Sequence, residues 1–240
     1  MSQCYNPVSD DSTPWRNTRL TGRLPRTIAL VTVLAAAACA ALGAPSFRGY
    51  TGLVKIPTAQ TLDRGEFDFG VMTEDTAEAG TSDVFGTYSP RDNVEIGVNG
   101  FEAPGSNTRR ALINAKYQFT EETEQMPRFA IGGIDIADSI RASGYLVASK
   151  SLFRRATILN SNLISIRGTL GVGAGDIEGP FAGISIFAGN KINFSAEWDS
   201  RDMNLGFRFT PVKGLRLHAA IFDLGYRDDL GIGGSFTKRY

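Results

Sequence analysis

The residue types that carry out covalent chemistry are sparse in this sequence. The chain has one histidine, His218, with Ser195 and Asp199 on or beside nearby predicted strands. A nucleophile, a base and an orienting acid are the parts of a hydrolytic triad, but the Gly-x-Ser-x-Gly motif of a nucleophile elbow is absent. We therefore expect no catalytic residue and no enzyme activity, and we interpret His218 as an interior histidine that hydrogen-bonds to its neighbours.

Metal or cofactor binding has equally little support. A zinc site needs several His or Cys ligands, and both cysteines, Cys4 and Cys39, precede residue 44. Four acids fall near predicted strand ends, where carboxylates bind calcium weakly or stay solvated: Asp135, Asp138, Asp176 and Glu178. We expect no metal and no cofactor.

Polar residues at every second position of the predicted strands form a more regular set. We assign its charged members and the histidine to the lining of a lumen: Glu95, Lys116, Arg167, Glu197, Arg208, Arg216 and His218. Burying unpaired charges in a dry core costs several kcal/mol each. This face therefore meets water or an internal charge network, which predicts either a narrow pore or a polar plug.

Alternation between apolar and polar residues defines the strands that position these charges. In residues 191–223, KINFSAEWDSRDMNLGFRFTPVKGLRLHAAIFD, apolar residues occupy the phase opposite to the charges. We predict that the following residues face lipid: Phe194, Trp198, Leu205, Phe207 and Leu217. About twelve such runs follow Pro45, and many are about eight to ten residues long.

Turn lengths predict how neighbouring strands pair. The four-residue loop 199–202 pairs Phe194 with Phe207, because apolar residues meet across an even loop. The sheet is therefore predicted to be an antiparallel meander.

The next connection, around Pro211, must hold an odd number of residues for apolar residues to meet again. That register pairs Phe207 with Leu217 and places Arg208 opposite Arg216.

The first 43 residues have the features of a secretory signal peptide. Arginines precede an apolar run, TIALVTVLAAAACAALGA, whose small residues predict cleavage near Gly43. Two alternatives are an anchoring helix of similar length and a lipoprotein cut before Cys39, where Ala36 stands in place of the preferred Leu. Cleavage of residues 1–43 leaves an N-terminal lead-in segment, residues 44–65, and a barrel, residues 66–240.

Export, strand length and aromatic placement favour a membrane barrel over a soluble sandwich. A membrane-spanning strand needs about 9–11 residues, and girdles of aromatic residues are typical of such barrels. We predict one rim of Phe67, Tyr88, Phe119, Phe129, Phe187 and Phe209, with Phe101 and Trp198 toward the other. The predicted fold class is all-β: an antiparallel up-and-down transmembrane β-barrel of about twelve strands, after a cleaved signal peptide.

The last residues resemble an outer-membrane assembly signal. Tyr240 ends the chain in phase with Phe236, although Lys238 departs from the apolar pattern. The expected location is the bacterial outer membrane, with outer-membrane lipid and the barrel-assembly machinery as partners. The formal net charge is zero and no basic patch stands out, so nucleic acid is not an expected partner.

Two stretches carry a family resemblance. Residues 47–70, FRGYTGLVKIPTAQTLDRGEFDFG, resemble the opening of YjbH-like outer-membrane proteins through GL at 52–53, PTA at 57–59 and GE at 65–66. The later AEWDSRDMNLGFRFTPVKGLRLHAAIFDL is similar to that family's closing hairpins. The resemblance implies a link to exopolysaccharide production or export. Some members are much longer, so an activity housed in another domain is not implied.

Three functions remain open from the sequence. The first is an outer-membrane barrel for exopolysaccharide production or export, or for porin-like passive passage, with polysaccharide or its secretion machinery as a partner. The second is a structural or adhesive surface barrel with a closed interior, and the third is a soluble periplasmic β-sandwich that binds a ligand. An even strand number places the turns at Pro90 and Pro211 in the periplasm, with loops 199–202 and 226–229 outside.

Overall fold

The computed structural model describes residues 43–75, 80–102, 109–153, 157–158 and 162–240; at 101–102, 157–158 and 162–163 it describes the backbone alone. The predicted signal peptide, with Cys4 and Cys39, lies outside these residues except for Gly43. None of the described residues belongs to a helix that is long and apolar enough to cross a membrane.

The described chain after residue 65 folds into β-strands. Their bounds are β1 (Glu66–Asp75), β2 (Gly80–Arg91), β3 (Val94–Glu102), β4 (Arg109–Gln118), β5 (Arg128–Ile134), β6 (Ser143–Phe153), β7 (Thr157–Ile158), β8 (Asn162–Ala174), β9 (Gly179–Ala188), β10 (Ile192–Trp198), β11 (Met203–Val212), β12 (Leu215–Phe222) and β13 (Asp229–Arg239).

Twelve of these strands close into one ring. Each pairs antiparallel with its neighbour in sequence, β8 pairs with β6, and β13 returns to pair with β1. The two-residue β7 pairs only with the start of β8 and stands outside the ring. The predicted all-β, antiparallel up-and-down barrel of about twelve strands is therefore confirmed, and a sandwich of two sheets is wrong.

The strands expose one face and bury the other, as their alternation predicts. On β3, Glu95 is 2 % exposed whereas Ile96, the next residue, is 47 % exposed. Successive side chains of a strand point to opposite faces, so Glu95 points into the barrel and Ile96 points away from it. The outer surface of the barrel is accordingly apolar along most strands.

The predicted register is correct for one hairpin and wrong for the next. Phe194 pairs with Phe207 across β10 and β11, as the even loop requires. Across β11 and β12, however, Phe207 pairs with Ala219 rather than Leu217, and Arg208 pairs with His218 rather than Arg216. Two like charges are therefore not placed directly opposite each other.

A tight turn and a bulge explain this shift. The strands continue to a two-residue turn, Lys213-Gly214, beside which Val212 pairs with Leu215. Between this pair and the pair of Phe209 with Leu217, β11 has one residue more than β12. Gly214 has a φ of 88°, which suits glycine. Pro211 lies in the bulge, where its missing N–H breaks no ladder bond. The hairpin at Pro90 repeats this arrangement.

The predicted aromatic rim needs one correction. Phe119 stacks on Phe129 with ring centroids 5.9 Å apart, and both lie in the outward phase. Phe187 instead pairs with Asn193 in the inward phase, and its ring lies 5.7 Å from the Arg167 guanidinium carbon. Trp198 points outward at the opposite end, and the side chain of Phe101 lies outside the described atoms.

The apolar core lies inside the barrel and is built on the lead-in segment. Five clustered side chains of that segment are at most 3 % exposed: Phe47, Leu53, Val54, Ile56 and Ala59. They pack in two clusters against inward residues of the strands, among them Met72, Phe85, Tyr145, Phe181 and Phe222. Gly206 of β11 makes room for this packing, because a Cβ there would lie 2.7 Å from a methyl carbon of Val54.

Candidate functional site: the occupied barrel interior

The lead-in segment lies inside the barrel without regular secondary structure. Its backbone makes only isolated bridges, such as Pro45 with Thr51 and Gly52 with Pro57. Buried N–H and C=O groups need partners, and an irregular segment cannot supply all of them itself. The inward side chains of the barrel must therefore complete its hydrogen bonding.

Glu197 on β10 provides the most concentrated set of these bonds. Its carboxylate accepts hydrogen bonds from the backbone N–H groups of Val54 (2.8 Å), Lys55 (2.6 Å) and Ile56 (3.3 Å). Asn204 on β11 donates a fourth bond at 3.0 Å and orients the carboxylate. Three successive N–H groups converging on one anion form a nest, so Glu197 holds the middle of the segment.

Glu95 and Lys116 hold a second point of the segment. They are direct neighbours across β3 and β4, and their charged atoms are 3.6 Å apart. Glu95 accepts from the N–H groups of Thr51 (2.9 Å) and Leu62 (3.2 Å), whereas Lys116 donates to the carbonyls of Thr51 (2.7 Å) and Gln60 (3.0 Å). This buried ion pair thus satisfies donors and acceptors of two stretches of the segment at once.

Arg208 on β11 binds carbonyl groups only, among its described hydrogen bonds. Its Nη2 donates to Pro45 (2.9 Å), Gly52 (2.7 Å) and Leu53. A planar guanidinium with several donors suits such a cluster of acceptors. Arg208 therefore joins the start of the lead-in segment to the stretch held by Glu197.

Arg216 completes the charged interior near the start of the segment. It donates to the carboxylate of Asp68 at 2.9 Å, to Thr237, and to the carbonyl of Gly43 at 3.4 Å. Sequence reasoning missed Asp68, although its inward phase on β1 is a usable signal. Small polar side chains add further bonds: Thr87 to the carbonyl of Gly49, Asn99 to that of Arg48, and Ser149 from the N–H of Ala59.

The conceivable catalytic residues have separate partners. His218 is buried, and its Nε2 lies 3.2 Å from Ser235 Oγ, while its ring meets Phe47 edge-on at 6.3 Å. Ser195 lies on β10, on the far side of β11 from His218. The Asp199 carboxylate caps the N–H groups of its own loop. The three side chains therefore do not assemble as a triad.

Arg167 is the predicted lumen residue on β8. It lies in the inward phase of β8, opposite Ser185. Its guanidinium lies against the Phe187 ring rather than in a described bond to the lead-in segment. Arg167 therefore lines the same interior as Glu95, Lys116, Glu197 and Arg208.

The five residues predicted to face lipid all lie on the outer face. Phe194 is 52 % exposed and Leu217 is 47 % exposed, although both are large and apolar. Phe194 contacts Phe207 across the strand pair, with ring centroids 5.1 Å apart. Trp198 and Leu205 share their phase. The chain thus presents a belt that its own described residues leave uncovered.

The predicted assembly residues lie at the strand that closes the ring. Phe236 points outward on β13 beside Phe69, with ring centroids 5.8 Å apart. Tyr240 follows the strand, is 82 % exposed, and donates its N–H to Gly65. The Lys238 ammonium lies 4.6 Å from the centre of the Tyr240 ring.

The loop acids considered for calcium have local protein partners or face the barrel mouth. Asp135 accepts from the N–H groups of Ser139, Ile140 and Arg141. Burial by itself raises the pKa of Asp135, but these three donors outweigh it and hold the pKa below its ordinary value. Asp138 caps Ala142, and Glu178 pairs with Arg141. Among the described residues no group of His, Asp or Glu is arranged to hold a metal ion.

The segment leaves a cavity at each mouth of the barrel. One, of about 290 Å³, lies among loops that include 199–202, while the other, of about 310 Å³, lies beside the Lys213-Gly214 turn. Sequence reasoning missed the position of the lead-in segment. Its signal was indirect: charged residues on a closed interior face, which need partners of some kind.

Comparison with known proteins places the chain in a family. The family model YjbH, "Exopolysaccharide biosynthesis protein YbjH", matches residues 46–202, and no curated protein matches the chain. Among solved structures, the N-terminal β-barrel domain of Pseudomonas aeruginosa OprF is similar over 73 % of this chain and 98 % of that one, at 11 % identity and a TM-score of 0.25. The barrel assignment therefore rests on the strand pairing itself. Because the family model spans well over half of the sequence, from the lead-in segment to the loop after β10, the chain belongs to the YjbH family.

Proposed function

We propose that this protein is a non-enzymatic outer-membrane barrel that acts in exopolysaccharide production or export, with its lumen closed at rest by the lead-in segment. Family membership supports the exopolysaccharide role. The uncovered apolar belt supports a lipid environment, because the outward band of a membrane barrel contacts hydrocarbon. A closed ring also satisfies the backbone within a membrane, where unpaired groups are costly.

The observation that carries the closed resting state is the hydrogen bonding inside the barrel. Glu197, Glu95, Lys116 and Arg208 together engage backbone groups at several points between Pro45 and Leu62. A segment with so many charge-assisted bonds does not leave by thermal fluctuation alone, since such bonds contribute roughly 1.5–3 kcal/mol each. This disfavours passive, porin-like diffusion as the resting activity.

The proposed orientation puts the turns at Pro90 and Pro211 in the periplasm. Both turns lie at the same end as Gly43 and Tyr240, because Arg216 and Gly65 contact those residues there. Loops 199–202 and 223–228 then face the cell exterior. In this arrangement the signal peptide and the assembly machinery act from the periplasmic side.

The direct test combines location with secretion. We expect the protein in the outer-membrane fraction, and we expect a deletion strain to secrete less exopolysaccharide than its parent, measured as total carbohydrate in the culture supernatant. The wild-type gene and a His218→Gln variant should both restore secretion, because the role is non-enzymatic. Absence from the outer membrane, or unchanged secretion in the deletion strain, overturns the proposal.

The occupied interior also favours a second candidate, a structural or adhesive surface barrel. The two roles differ in one result. A structural barrel predicts normal secretion after deletion, together with reduced cell-surface attachment or envelope integrity. An export role predicts polymer that accumulates with the cells while the supernatant is depleted.

A further inference from the structure

The cavity at the loop end of the barrel is a built pocket with a floor and walls. Four lead-in residues form its floor: Arg48, Tyr50, Lys55 and Ile56. Three strands and three loops form its walls, through Asn99, Leu112, Asn114, Ile134, Asp176, Ile177, Asp199, Arg201, Asp202 and Asp223. Its volume of about 290 Å³ is near the lower bound of ligand sites, roughly 300 Å³. It therefore has room for a short ligand rather than a long chain segment.

The charges of this pocket are mixed and largely balanced. Three basic and four acidic side chains line it. Lys55 illustrates the balance, because its ammonium lies 3.3 Å from an Asp223 oxygen and 4.0 Å from one of Asp199. A strongly anionic or cationic ligand would meet repulsion as well as attraction. The charge pattern therefore suits a neutral ligand that both donates and accepts hydrogen bonds.

One buried polar atom at the pocket lacks a protein partner. Asn99 is 1 % exposed, and its amide NH₂ donates to the carbonyl of Arg48 at 3.2 Å and to Asp83 at 3.3 Å. Its carbonyl oxygen, Oδ1, is buried and has no hydrogen-bond donor. Buried polar atoms without partners are uncommon. This oxygen has almost no accessible surface, so a hydroxyl donor in the cavity reaches it only after a small shift of the Asn99 side chain.

Apolar side chains complete the lining. Ile56, Leu112, Ile134 and Ile177 stand among the polar groups. A sugar ring has hydroxyl groups on its edge and C–H groups on its faces. Hydroxyls both donate and accept hydrogen bonds, which matches the carboxylates, amides and guanidinium groups of this pocket, and the C–H faces match the isoleucine and leucine side chains.

The opposite mouth differs in charge. Its cavity is lined by five basic residues and two acidic ones: Lys191, Arg208, Lys213, Arg216 and Arg239, with Asp63 and Glu66. That pocket suits an anion rather than a neutral polyol. The two mouths are therefore not equivalent.

We propose that the cavity among loops 175–178, 199–202 and 223–228 binds neutral sugar residues of an exopolysaccharide. This inference rests on the proposed function for the identity of the polymer, and on the pocket itself for the chemical class. In the proposed orientation the site faces the cell exterior, where it contacts polymer that has left the cell.

The test is a binding measurement on the purified barrel in detergent. The probe is the neutral fraction of short oligosaccharides prepared by partial acid hydrolysis of the exopolysaccharide that the producing strain secretes. Isothermal titration should give saturable binding to the wild-type protein. The double variant Asp176→Ala/Arg201→Ala should bind about tenfold more weakly or worse, because it removes hydrogen-bonding groups worth a factor of this order.

A matched control changes the same kinds of charge at the other mouth. Asp63 and Arg239 are both well exposed and lie 4.0 Å apart, so Asp63→Ala/Arg239→Ala also removes one acid and one base. This control should bind the neutral oligosaccharides as the wild type does. Heat-modifiable gel migration checks that both double variants fold.

Each remaining outcome overturns the inference. These are no binding of the neutral fraction, equal weakening by both double variants, binding of the acidic fraction alone, and binding of CaCl₂ in place of the oligosaccharide. Failure of the proposed function is seen separately, since unchanged secretion in the deletion strain leaves the titration result standing. If secretion depends on the gene but the purified barrel does not bind the neutral oligosaccharides, only the sugar site is overturned.

Discussion

The inner and outer faces of the barrel arise from the same alternating strands but are completed differently. Inside, charged residues such as Glu197 and Lys116 are buried because the lead-in segment covers them. Outside, apolar residues such as Phe194 and Leu170 remain more than half exposed, with no described part of the chain over them. The inner face is covered by the protein itself, whereas the outer face is left uncovered by the described chain.

This difference separates two sources of stability. The inner face depends on directional hydrogen bonds to specific backbone atoms, so the loss of one acceptor leaves several donors without a partner. The outer face depends on transfer of apolar surface out of water, which is roughly proportional to area and tolerates exchange among apolar side chains. Substitutions on the two faces should therefore destabilise the barrel in different ways.

The largest effect is expected at Glu197. Glu197→Ala leaves the N–H groups of Val54, Lys55 and Ile56 without their acceptor, and we expect a loss of about 3–9 kcal/mol in the free energy of unfolding, at about 1–3 kcal/mol for each unpaired group. Urea unfolding in lipid measures it. Glu197→Gln keeps one acceptor oxygen and should lose less. Equal stability of Glu197→Ala and wild type would mean that the segment does not depend on this nest.

A charge on the outer face comes next. Phe207→Arg puts a guanidinium at mid-strand on the apolar belt, where it costs about 2–4 kcal/mol in a membrane. Heat-modifiable gel migration and urea unfolding measure the loss. Phe207→Leu is the control and should fold nearly normally. If Phe207→Arg is tolerated, or if the wild type folds without detergent or lipid, the belt does not contact hydrocarbon.

Loss of Arg208 should loosen the segment while the barrel persists. Arg208→Ala removes the donors to three carbonyls, and we expect a loss of only about 1–3 kcal/mol in the free energy of unfolding. The loss is smaller than for Glu197→Ala because a carbonyl oxygen accepts a hydrogen bond from water more readily than an unpaired N–H group finds a new acceptor. We expect transient openings in planar-bilayer conductance that the wild type lacks. Phe207→Leu, one residue away on the outer face, should remain closed. If bilayers that contain Arg208→Ala show no openings, the contact of Arg208 with the lead-in segment does not close the lumen.

The smallest effect is expected in loop 135–142, outside both faces. The pKa of Asp135 lies below its ordinary value because three N–H groups bond its carboxylate, so its stabilisation is full above about pH 3.9, the usual aspartate pKa. It disappears as the pH falls through the lowered pKa. Asp135→Asn should therefore be less stable than wild type by about 1 kcal/mol at pH 7, and the difference should vanish in acid. A difference that is unchanged at low pH would contradict this assignment.

The strands were predictable from the sequence because each residue's phase decides its face. Phe207 and Arg208 are adjacent, and alternation alone separates them into outward and inward positions. The loop parity between β10 and β11 likewise predicts the pairing of Phe194 with Phe207. A shift by two residues leaves this parity unchanged, which explains why the bulge near Pro211 could be missed while the faces of β11 and β12 were assigned correctly.

The occupant of the interior was not predictable in the same way. The lead-in segment has no alternating period, and its bonds join side chains of the strands to backbone atoms that every sequence possesses. Gly206 makes room for Val54, a contact that the alternation of β11 does not indicate. Phe187 was assigned to the rim by its place near a strand end, but its phase turns it inward, toward Arg167.

The central claim is that the lead-in segment occupies the lumen, and a disulfide tests it most directly. The Ala59 N–H donates to Ser149 Oγ at 3.0 Å, which holds the two Cα atoms within roughly 7 Å, near the reach of a disulfide. In Ala59→Cys/Ser149→Cys, oxidation of the folded barrel in membranes should give a cross-linked species that reduction reverses. Ala59→Cys paired with a cysteine at the outward residue Leu170 should not cross-link. Absence of the Ala59–Ser149 link, with both thiols open to a maleimide in the folded barrel, would contradict an occupied lumen.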